Sequence, residues 1–567
     1  MALSRFSFLH QVWTHLIRPY WTSKDKWSAI GLLMGHLAMM GFFIGLSVWL
    51  NYWNNDFYTS IQELNSSAFF YLLGIFSILA AFSIISFMLK SYLLQKLEMR
   101  WREWMTQHFI ESWTHNRRYY ALQLKGDGTD NPDQRIADDI SQFIVNTLVL
   151  SIGFLQECIM LVSFLGILWG LSGTISFSIV GFHLSIPGYM CWGAILYAIA
   201  GTFVSTYLGR PLIRLSYEQQ RREANFRYSL MRFRENTEEV ALYGGEEKEK
   251  GIFKDRFSHI VDNFNVILKR MLKIHSWNTF YGQFNAIFPA LLAAPRLFSK
   301  QLTFGGFMQT LGAFNQVSSS LSFIITNYPG IASWRATTNR LLEFKLNLEN
   351  VPPPTLTHNT HDDAVIHITC DHIGLPHGAL LREDLHLSFK KGEDTLITGQ
   401  TGSGKSTLAR VIAGLWPYGS GEIKIPSSSF LFLPQKPYMP LGSLASVLQY
   451  PTSHASMTDI ASALEAVGLK GFTSRLQEIN DWSRVLSLGE QQRIAIARVL
   501  LTKPHWLVLD EATSAMDEAS EAHLYRMLRE QLPETTFISI GHRESLKSLH
   551  IREIRLDGEG TLNKAAA

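Results

Sequence analysis

Hydrophobic residues are distributed unevenly along the chain. Over residues 1 to about 340 they gather into stretches near 20 residues or longer, the length a helix rising 1.5 Å per residue needs to cross a bilayer. Four are strongly apolar: Ser28 to Leu50, Ala68 to Met88, Asn146 to Leu171 and Pro187 to Leu208. Two more, about Trp277 to Pro295 and Phe304 to Tyr328, are studded with Asn, Gln, Ser and Thr. Such polarity is costly against lipid, so these two are expected to face a water-filled cavity within a six-helix bundle. Further along the chain come short apolar runs of the kind buried parallel strands make, such as Thr395 to Thr398 and Trp506 to Leu509.

Lys and Arg distinguish the two sides of the membrane. Arg5, Arg18, Lys24 and Lys26 precede the first stretch, and the segments Lys90 to Ile144 and Gly209 to His275 are long and highly charged. By contrast, Asn51 to Ser67 carries only Asp56 and Glu63, and the turn Ser172 to Ile186 has no Lys or Arg. The amino terminus is therefore expected in the cytoplasm; Arg296 and Lys300 run against the rule but are outweighed by the long basic loops. The leader Met1 to Trp21 lacks the uninterrupted apolar core and small-residue cleavage site of a signal peptide. Its Leu9, Trp13, Leu16 and Tyr20 recur at helical spacing beside Arg and His, which predicts a helix lying in the interface.

Gly399, Gln400, Thr401, Gly402, Ser403, Gly404, Lys405, Ser406 and Thr407 follow the strand-like run Thr395 to Thr398 and open a helix-like segment at Leu408. The run fits G-x-x-x-x-G-K-[ST], in which backbone amides cradle nucleotide phosphates while the lysine and hydroxyl meet the outer phosphates and Mg2+. About a hundred residues later the run Trp506, Leu507, Val508, Leu509 delivers Asp510 and Glu511 at its end, where ligand chemistry sits in open α/β sheets. Asp510 is expected to hold Mg2+, and Glu511 to polarise the water that attacks the γ-phosphate of ATP.

Further markers stand in order around these two. Gln435 lies within Leu433, Pro434, Gln435, Lys436, Pro437, Tyr438; Ser487, Leu488, Gly489 and Glu490 precede Gln491, Gln492 and Arg493; Ser514, Ala515, Met516 and Asp517 follow the acids; Gly541 and His542 come last. The ordered set resembles the ATP-binding cassette (ABC) family, with its Gly-rich loop, loop glutamine, LSGGQ-type signature, acidic strand end, D-loop and switch histidine. The resemblance implies that Gln435 contacts Mg2+ and senses the membrane domain. It implies that Ser487, Gly489 and Glu490 form the signature that meets the γ-phosphate held by another subunit, and that His542 senses that phosphate and helps position the water. Glu511, His542 and Gln435 are thus the catalytic candidates, and Ser406, Gln435 and Asp510 the metal candidates. Three departures stand out: Leu488 and Glu490 replace Gly and Gln of the consensus, Met516 replaces Leu with little change in volume, and Asp371 to His377 contains no aromatic to stack on adenine.

Several stretches narrow the resemblance. Gly414 to Pro417, Pro434 to Tyr438, Trp482, Asn131 to Ile136 with Asp138 and Asp139, and Arg234 to Glu239 with Tyr243 to Glu246 are similar to the bacterial BacA/SbmA-related, YddA-like branch and to the peroxisomal subfamily D carriers, over about residues 90 to 545. The turn Ser172 to Ile186 looks more like the bacterial group. The implied architecture is an α-helical six-span transmembrane domain of exporter type fused to an α/β P-loop nucleotide-binding domain. Residues 1–340 are expected to form the first, 341–362 a linker and 363–567 the second. One Gly-rich loop and one signature per chain imply a homodimeric half-transporter in the bacterial inner membrane, with ATP sandwiched between subunits and both the amino terminus and the nucleotide domain cytoplasmic. Arg234 to Glu246 or Asn131 to Asp139 is expected to meet the nucleotide domain near Gln435.

Cargo is approached through Glu157, flanked by Gln156 and Cys158 in the middle of the third stretch. A charge at mid-bilayer costs about 2.5–3.5 kcal/mol, so it should face the bundle interior and either serve cargo and gating or pack helices together. His36 is expected to be a hydrogen-bonded packing residue. With Asn278, Tyr281, Gln283, Asn285, Gln309, Asn315, Gln316 and Ser319, the acid would line a hydrophilic chamber suited to a bulky water-soluble cargo such as cobalamin or peptides. A fatty acyl-CoA or lipid carrier, and a cassette ATPase that regulates a channel, are the alternatives. The net charge of +3 makes no case for nucleic acid, and Cys158, Cys191 and Cys370 have no metal-like spacing.

Overall fold

The computed structural model describes residues 5–125, 131–179, 182–350, 356–376, 378–400, 402–451, 454–556 and 562–564. The chain divides into two compact units, one of residues 1–113 with 129–349 and one of residues 114–128 with 350–567. The short segment 114–128, expected with the membrane helices, therefore packs with the second unit: Arg117 donates to the Ala413 carbonyl at 2.8 Å, and Leu124 lies against that unit's core.

The first unit is helical. Its long helices are Lys26–Gln62, Ser66–Thr114, Ile140–Ser172, Tyr189–Glu235 and Glu246–Phe298, followed by Phe304–Thr326 and Tyr328–Glu349. Those starting at Lys26, Ser66, Pro132 and Tyr189 are long and apolar enough to cross a membrane. The two more polar stretches fall within Glu246–Phe298 and Phe304–Thr326 and pack on those helices. A helix of 49 residues such as Ser66–Thr114 is about 70 Å long, roughly twice the hydrocarbon thickness, so the helices continue well past their apolar stretches. The segment expected as a turn after Ser172 is an antiparallel hairpin of Thr174–Ile179 and Phe182–Pro187.

The leader is helical but presents a different stripe from the one expected. Arg5–Val12 passes through a π-helical turn, Trp13–Ile17, into Arg18–Trp21, and this turn rotates the face. Phe8, Val12, Leu16 and Tyr20 are buried, whereas Leu9 and Trp13 are 55% and 53% exposed. Tyr20 stacks on Trp101 at 5.3 Å. His15 lies 3.2 Å from Glu349, the last residue of the final membrane-unit helix.

Asp139, at the end of the segment expected to meet the nucleotide domain, is a packing anchor within the first unit. It is 1% exposed and receives Arg340 through two bonds of 2.6 and 2.9 Å and Arg135 through one of 2.9 Å. A buried carboxylate is tolerable only with such partners. By contrast, Leu242 and Tyr243, at the end of the short helix Thr237–Tyr243, are 80% and 89% exposed.

The second unit is built on two sheets. A six-stranded sheet has the order Leu562–Lys564, Arg552–Leu556, Thr395–Gly399, Thr536–Ile540, Trp506–Asp510, Phe430–Leu433, parallel throughout except for the antiparallel edge pair formed by its first two strands. The central strands are buried along almost their whole length because both faces are covered. A four-stranded sheet joins Leu356–His361, Gly419–Pro426, Val365–Gly374 and Leu380–Lys390. Helices Leu444–Gln449, Met457–Ala466 and Leu488–Thr502 contribute to the larger core around Trp482, Leu507 and Leu509.

Replacing Asp139 by Ala leaves two guanidinium groups without their shared acceptor, and a hydrogen bond to a charged group contributes about 1.5–3 kcal/mol. The detergent-solubilised Asp139→Ala protein should melt several degrees below the parent, with Asp139→Asn in between. Melting unchanged in both variants would contradict the anchoring role.

Candidate functional site

Four neighbouring parallel strands present their carboxyl ends side by side. Thr395–Gly399 runs into the Gly-rich loop, Trp506–Asp510 ends on Asp510 and Glu511, Thr536–Ile540 leads to Gly541 and His542, and Phe430–Leu433 leads to Gln435. Strand order alone brings together residues separated by more than a hundred positions in the chain.

The loop depends on glycine where its backbone is crowded. A Cβ at Gly399 would lie 2.2 Å from the Leu556 carbonyl, because the strand Arg552–Leu556 pairs through that position. Gly404 holds φ +89° at the start of the helix Lys405–Ile412, with Leu381 3.0 Å from where its Cβ would stand. Lys405 donates from Nζ to the Gly399 and Gln400 carbonyls at 2.8 Å each, which folds the ammonium over the loop. Ser403 Oγ is buried with no partner among the described residues. Thr401, also expected to contact phosphate, lies outside the described residues.

Ser406 Oγ donates to Asp510 Oδ1 at 3.0 Å, so hydroxyl and carboxylate share one spot. Burial is the main cause that raises the Asp510 carboxyl above the usual range, with the neighbouring Glu511 adding to it, and the Ser406 bond acts in the opposite direction. Arg410 and Lys405 act in the same sense as the Ser406 bond, favouring the charged carboxylate. Glu511 Oε2 accepts from Gln435 Nε2 at 3.0 Å, and Glu511 Oε1 lies 3.8 Å from His542 Nδ1. Glu511 holds φ +50°, rare for a residue with a side chain, and its amide donates to the Ile540 carbonyl at 3.0 Å.

These residues fit Mg2+ and a nucleoside triphosphate: a hydroxyl and a half-buried acid able to hold the cation, a lysine and an unpaired buried hydroxyl able to meet phosphate, and a second acid able to take a water proton. The base-binding side is less developed. Among the described residues of Asp371–His377 there is no aromatic, and His377 itself lies outside them.

Ser487 caps the helix Leu488–Thr502 in a reciprocal capping box, with its amide and hydroxyl both bonded to Glu490 Oε2 at 2.9 Å. Among the described residues, no hydrogen bond joins Ser487, Gly489 or Glu490 to the 399–407 loop. The structure therefore assembles Gln435, Asp510, Glu511, His542 and the loop in one place, while Ser487 and Glu490 are bonded to each other.

Two residues unremarked in the sequence support the site. Arg382, 8% exposed, donates from Nε and Nη2 to the Ser403 carbonyl at 3.2 and 2.9 Å and pins the loop from below. Arg543, beside His542, donates to the Met516 and Ser514 carbonyls at 2.7 and 2.9 Å. No local spacing marks either of them, since each meets its partner only through the fold.

In the membrane unit, Ser320 Oγ donates to Glu157 Oε2 at 2.6 Å and receives Gln316 Nε2 at 3.3 Å. Lys90 Nζ donates to Gln156 Oε1 at 2.9 Å, and His36 Nδ1 lies 2.8 Å from the Lys90 carbonyl. Of the expected chamber residues, Asn278, Gln283, Asn315 and Ser319 are exposed, whereas Gln309 is buried at the packing face with Asn51.

Known proteins resemble this chain along most of its length. Residues 16–298 match the family profile described as ABC transporter transmembrane region 2, and residues 382–514 match the ABC transporter profile. An ABC transporter ATP-binding protein of Haemophilus influenzae is 38% identical over 92% of this chain and 88% of its own length. The inner membrane ABC transporter ATP-binding protein YddA of Escherichia coli is 33% identical over 94% of this chain and 95% of its own. The human lysosomal cobalamin transporter ABCD4 is 27% identical over 82% of this chain and 81% of its own. The structure of a bacterial Atm1-family ABC exporter with ATP bound superposes with a TM-score of 0.74 at 16% identity, covering 94% of this chain and 95% of that one.

If Arg382 holds the loop, Arg382→Leu should weaken ATP binding about tenfold, since a hydrogen bond from a charged donor contributes about 1.5–3 kcal/mol and about 1.4 kcal/mol is a factor of ten. Isothermal titration with a non-hydrolysable ATP analogue measures it; unchanged affinity would rule the support out.

Proposed function

The chain belongs to the ABC transporters that fuse a membrane region to an ATP-binding domain, and from that premise we propose that it works as a homodimeric half-transporter moving a bulky hydrophilic solute across the bacterial inner membrane. Its ATP-binding domain hydrolyses ATP, with Mg2+, and couples that hydrolysis to transport across the membrane. Bound ATP supplies the phosphoryl group whose transfer to water releases the free energy.

The observation that carries the reading is the convergence of Lys405, Ser406, Asp510, Glu511, Gln435 and His542 at four adjacent strand ends. Lys405 and the loop amides bind phosphate, with Ser403 and Thr407 completing the cradle, while Ser406, Asp510 and Gln435 hold the metal. Glu511 accepts the proton of the attacking water, oriented by Gln435 and His542. The signature residues Ser487, Gly489 and Glu490 serve the site of a second copy. Among the described residues none of the three is hydrogen-bonded to the 399–407 loop of its own chain, which supports dimeric action. The amino terminus and the nucleotide domain are assigned to the cytoplasm from the distribution of Lys and Arg.

For cargo, Glu157 with Ser320 and Gln316 supplies a polar centre among membrane helices, and Asn315 and Ser319 carry polarity along one face of the helix Phe304–Thr326. Polar lining of this kind favours a water-soluble cargo over acyl chains, and the cobalamin transporter among the relatives points the same way. Cobalamin and peptides are the two classes to test.

Glu511→Gln should bind ATP as tightly as the parent while turnover falls by a factor of about a hundred or more, since general-base assistance contributes about 10²–10⁴. ATPase within about tenfold of the parent would defeat the assignment of Glu511. In sealed vesicles, Glu157→Gln should alter uptake of cobalamin or peptide and cargo-stimulated ATPase while basal ATPase and expression persist. Transport at the parental rate would return Glu157 to helix packing.

A further inference from the structure

Gln492 lies one turn into the helix Leu488–Thr502 and is fully buried, with 0% exposure. A buried amide must spend its donors and acceptor on protein partners. Gln492 spends them on two separate pieces of the candidate site. Its Nε2 donates to the Gln435 main-chain carbonyl at 2.9 Å and to Ser514 Oγ at 3.3 Å, and its Oε1 accepts from the Ala515 amide at 3.0 Å.

Each partner stands next to a group that matters for hydrolysis. The Gln435 side chain donates to Glu511 at 3.0 Å, so the Gln492 contact fixes the backbone from which that bond is made. Ser514 and Ala515 form the turn whose Ser514 and Met516 carbonyls are held by Arg543, beside His542. On the same helix, Gly489 has only 3.3 Å between its would-be Cβ and the Ala515 carbonyl. Arg498, two turns further along, donates to the Tyr438 and Val447 carbonyls at 2.9 Å each. The helix that begins at the signature is thus hydrogen-bonded three times to main-chain carbonyls of the 435–447 segment and twice to the 514–517 turn.

We propose that Gln492 is a positioning residue: it ties the signature helix to Gln435 and to the 514–517 turn, so that movement of that helix sets the Gln435–Glu511 hydrogen bond and with it the rate of ATP hydrolysis. The inference rests on the roles given above to Gln435 and Glu511. Every bond the Gln492 side chain makes here is to protein. Removing its amide leaves the phosphate loop, Ser406 and Asp510 intact, so turnover should fall much further than nucleotide affinity.

The test uses the full-length protein in lipid nanodiscs, with Gln492→Met, which is close in size and makes none of the three bonds. The expected result is a fall in kcat of about tenfold or more with ATP KM and the affinity for an ATP analogue within about twofold of the parent. Combined with Gln435→Ala, Gln492→Met should slow turnover no further than Gln435→Ala alone, because both act through one contact. If Gln492→Met does not yield folded protein, Gln492→Asn keeps the amide but is one methylene too short for both partners, and it carries the same expectation. An unchanged kcat, additive losses in the double variant, or affinity and kcat falling together in both variants would each overturn the proposal. Glu511→Gln measured alongside keeps the two readings apart: if it still hydrolyses ATP, the Glu511 assignment fails; if it is inactive and Gln492→Met is normal, only the inference about Gln492 fails.

Discussion

The chemistry of the nucleotide unit depends on one constraint, the parallel pairing of four short apolar strands. Val508 of the strand Trp506–Asp510 registers with Ile538 on one side and Phe432 on the other, and Ile538 in turn registers with Thr395. Parallel strands in register end at the same level, so the loops that follow them open onto one edge. Lys405, Gln435, Glu511 and His542 are neighbours for that reason. Any shift in register would flip alternate side chains between the two faces and separate the acids from the loop.

Much of this was legible in the sequence, and the reason is spacing. The Gly-rich loop, Gln435, the acids after Leu509 and His542 each sit beside a strand or helix boundary that the local pattern marks, so short-range rules locate them. The supports were not legible. Arg382 meets the loop across 21 residues, Gln492 meets Gln435 across 57, and the 114–128 segment joins a unit more than two hundred residues further along the chain. Such pairings arise from tertiary packing, which leaves no periodic trace. The leader illustrates a subtler failure. Helical spacing found its amphipathic character, but one π-helical turn at Trp13–Ile17 rotated the buried stripe onto Phe8 and Val12.

The membrane unit was legible by length and blurred by polarity. Four helices satisfy the hydropathy expected of spans, while the helices carrying the fifth and sixth stretches are held by contacts between polar side chains, such as Asn285 to Asn315 at 3.0 Å. Polar groups among membrane helices persist when they find one another, and Tyr197 and Tyr281, stacked at 4.4 Å with each hydroxyl on the other's carbonyl, do so in pairs. Asp139 extends the same rule beyond the apolar stretches, since its charge is held by two arginines rather than by water.

The length of the helices has a mechanical consequence. Glu246–Phe298 has 53 residues and would span about 80 Å if straight. A rod of that length converts rotation into translation with large gain: a tilt of about 4° about one end moves the other sideways by about 5–6 Å. Pro289 and Pro295 soften its final turns by removing backbone hydrogen bonds, so bending concentrates there and the remaining length stays stiff. Small angular changes at one end of such a helix therefore become ångström-scale sideways displacements at the other.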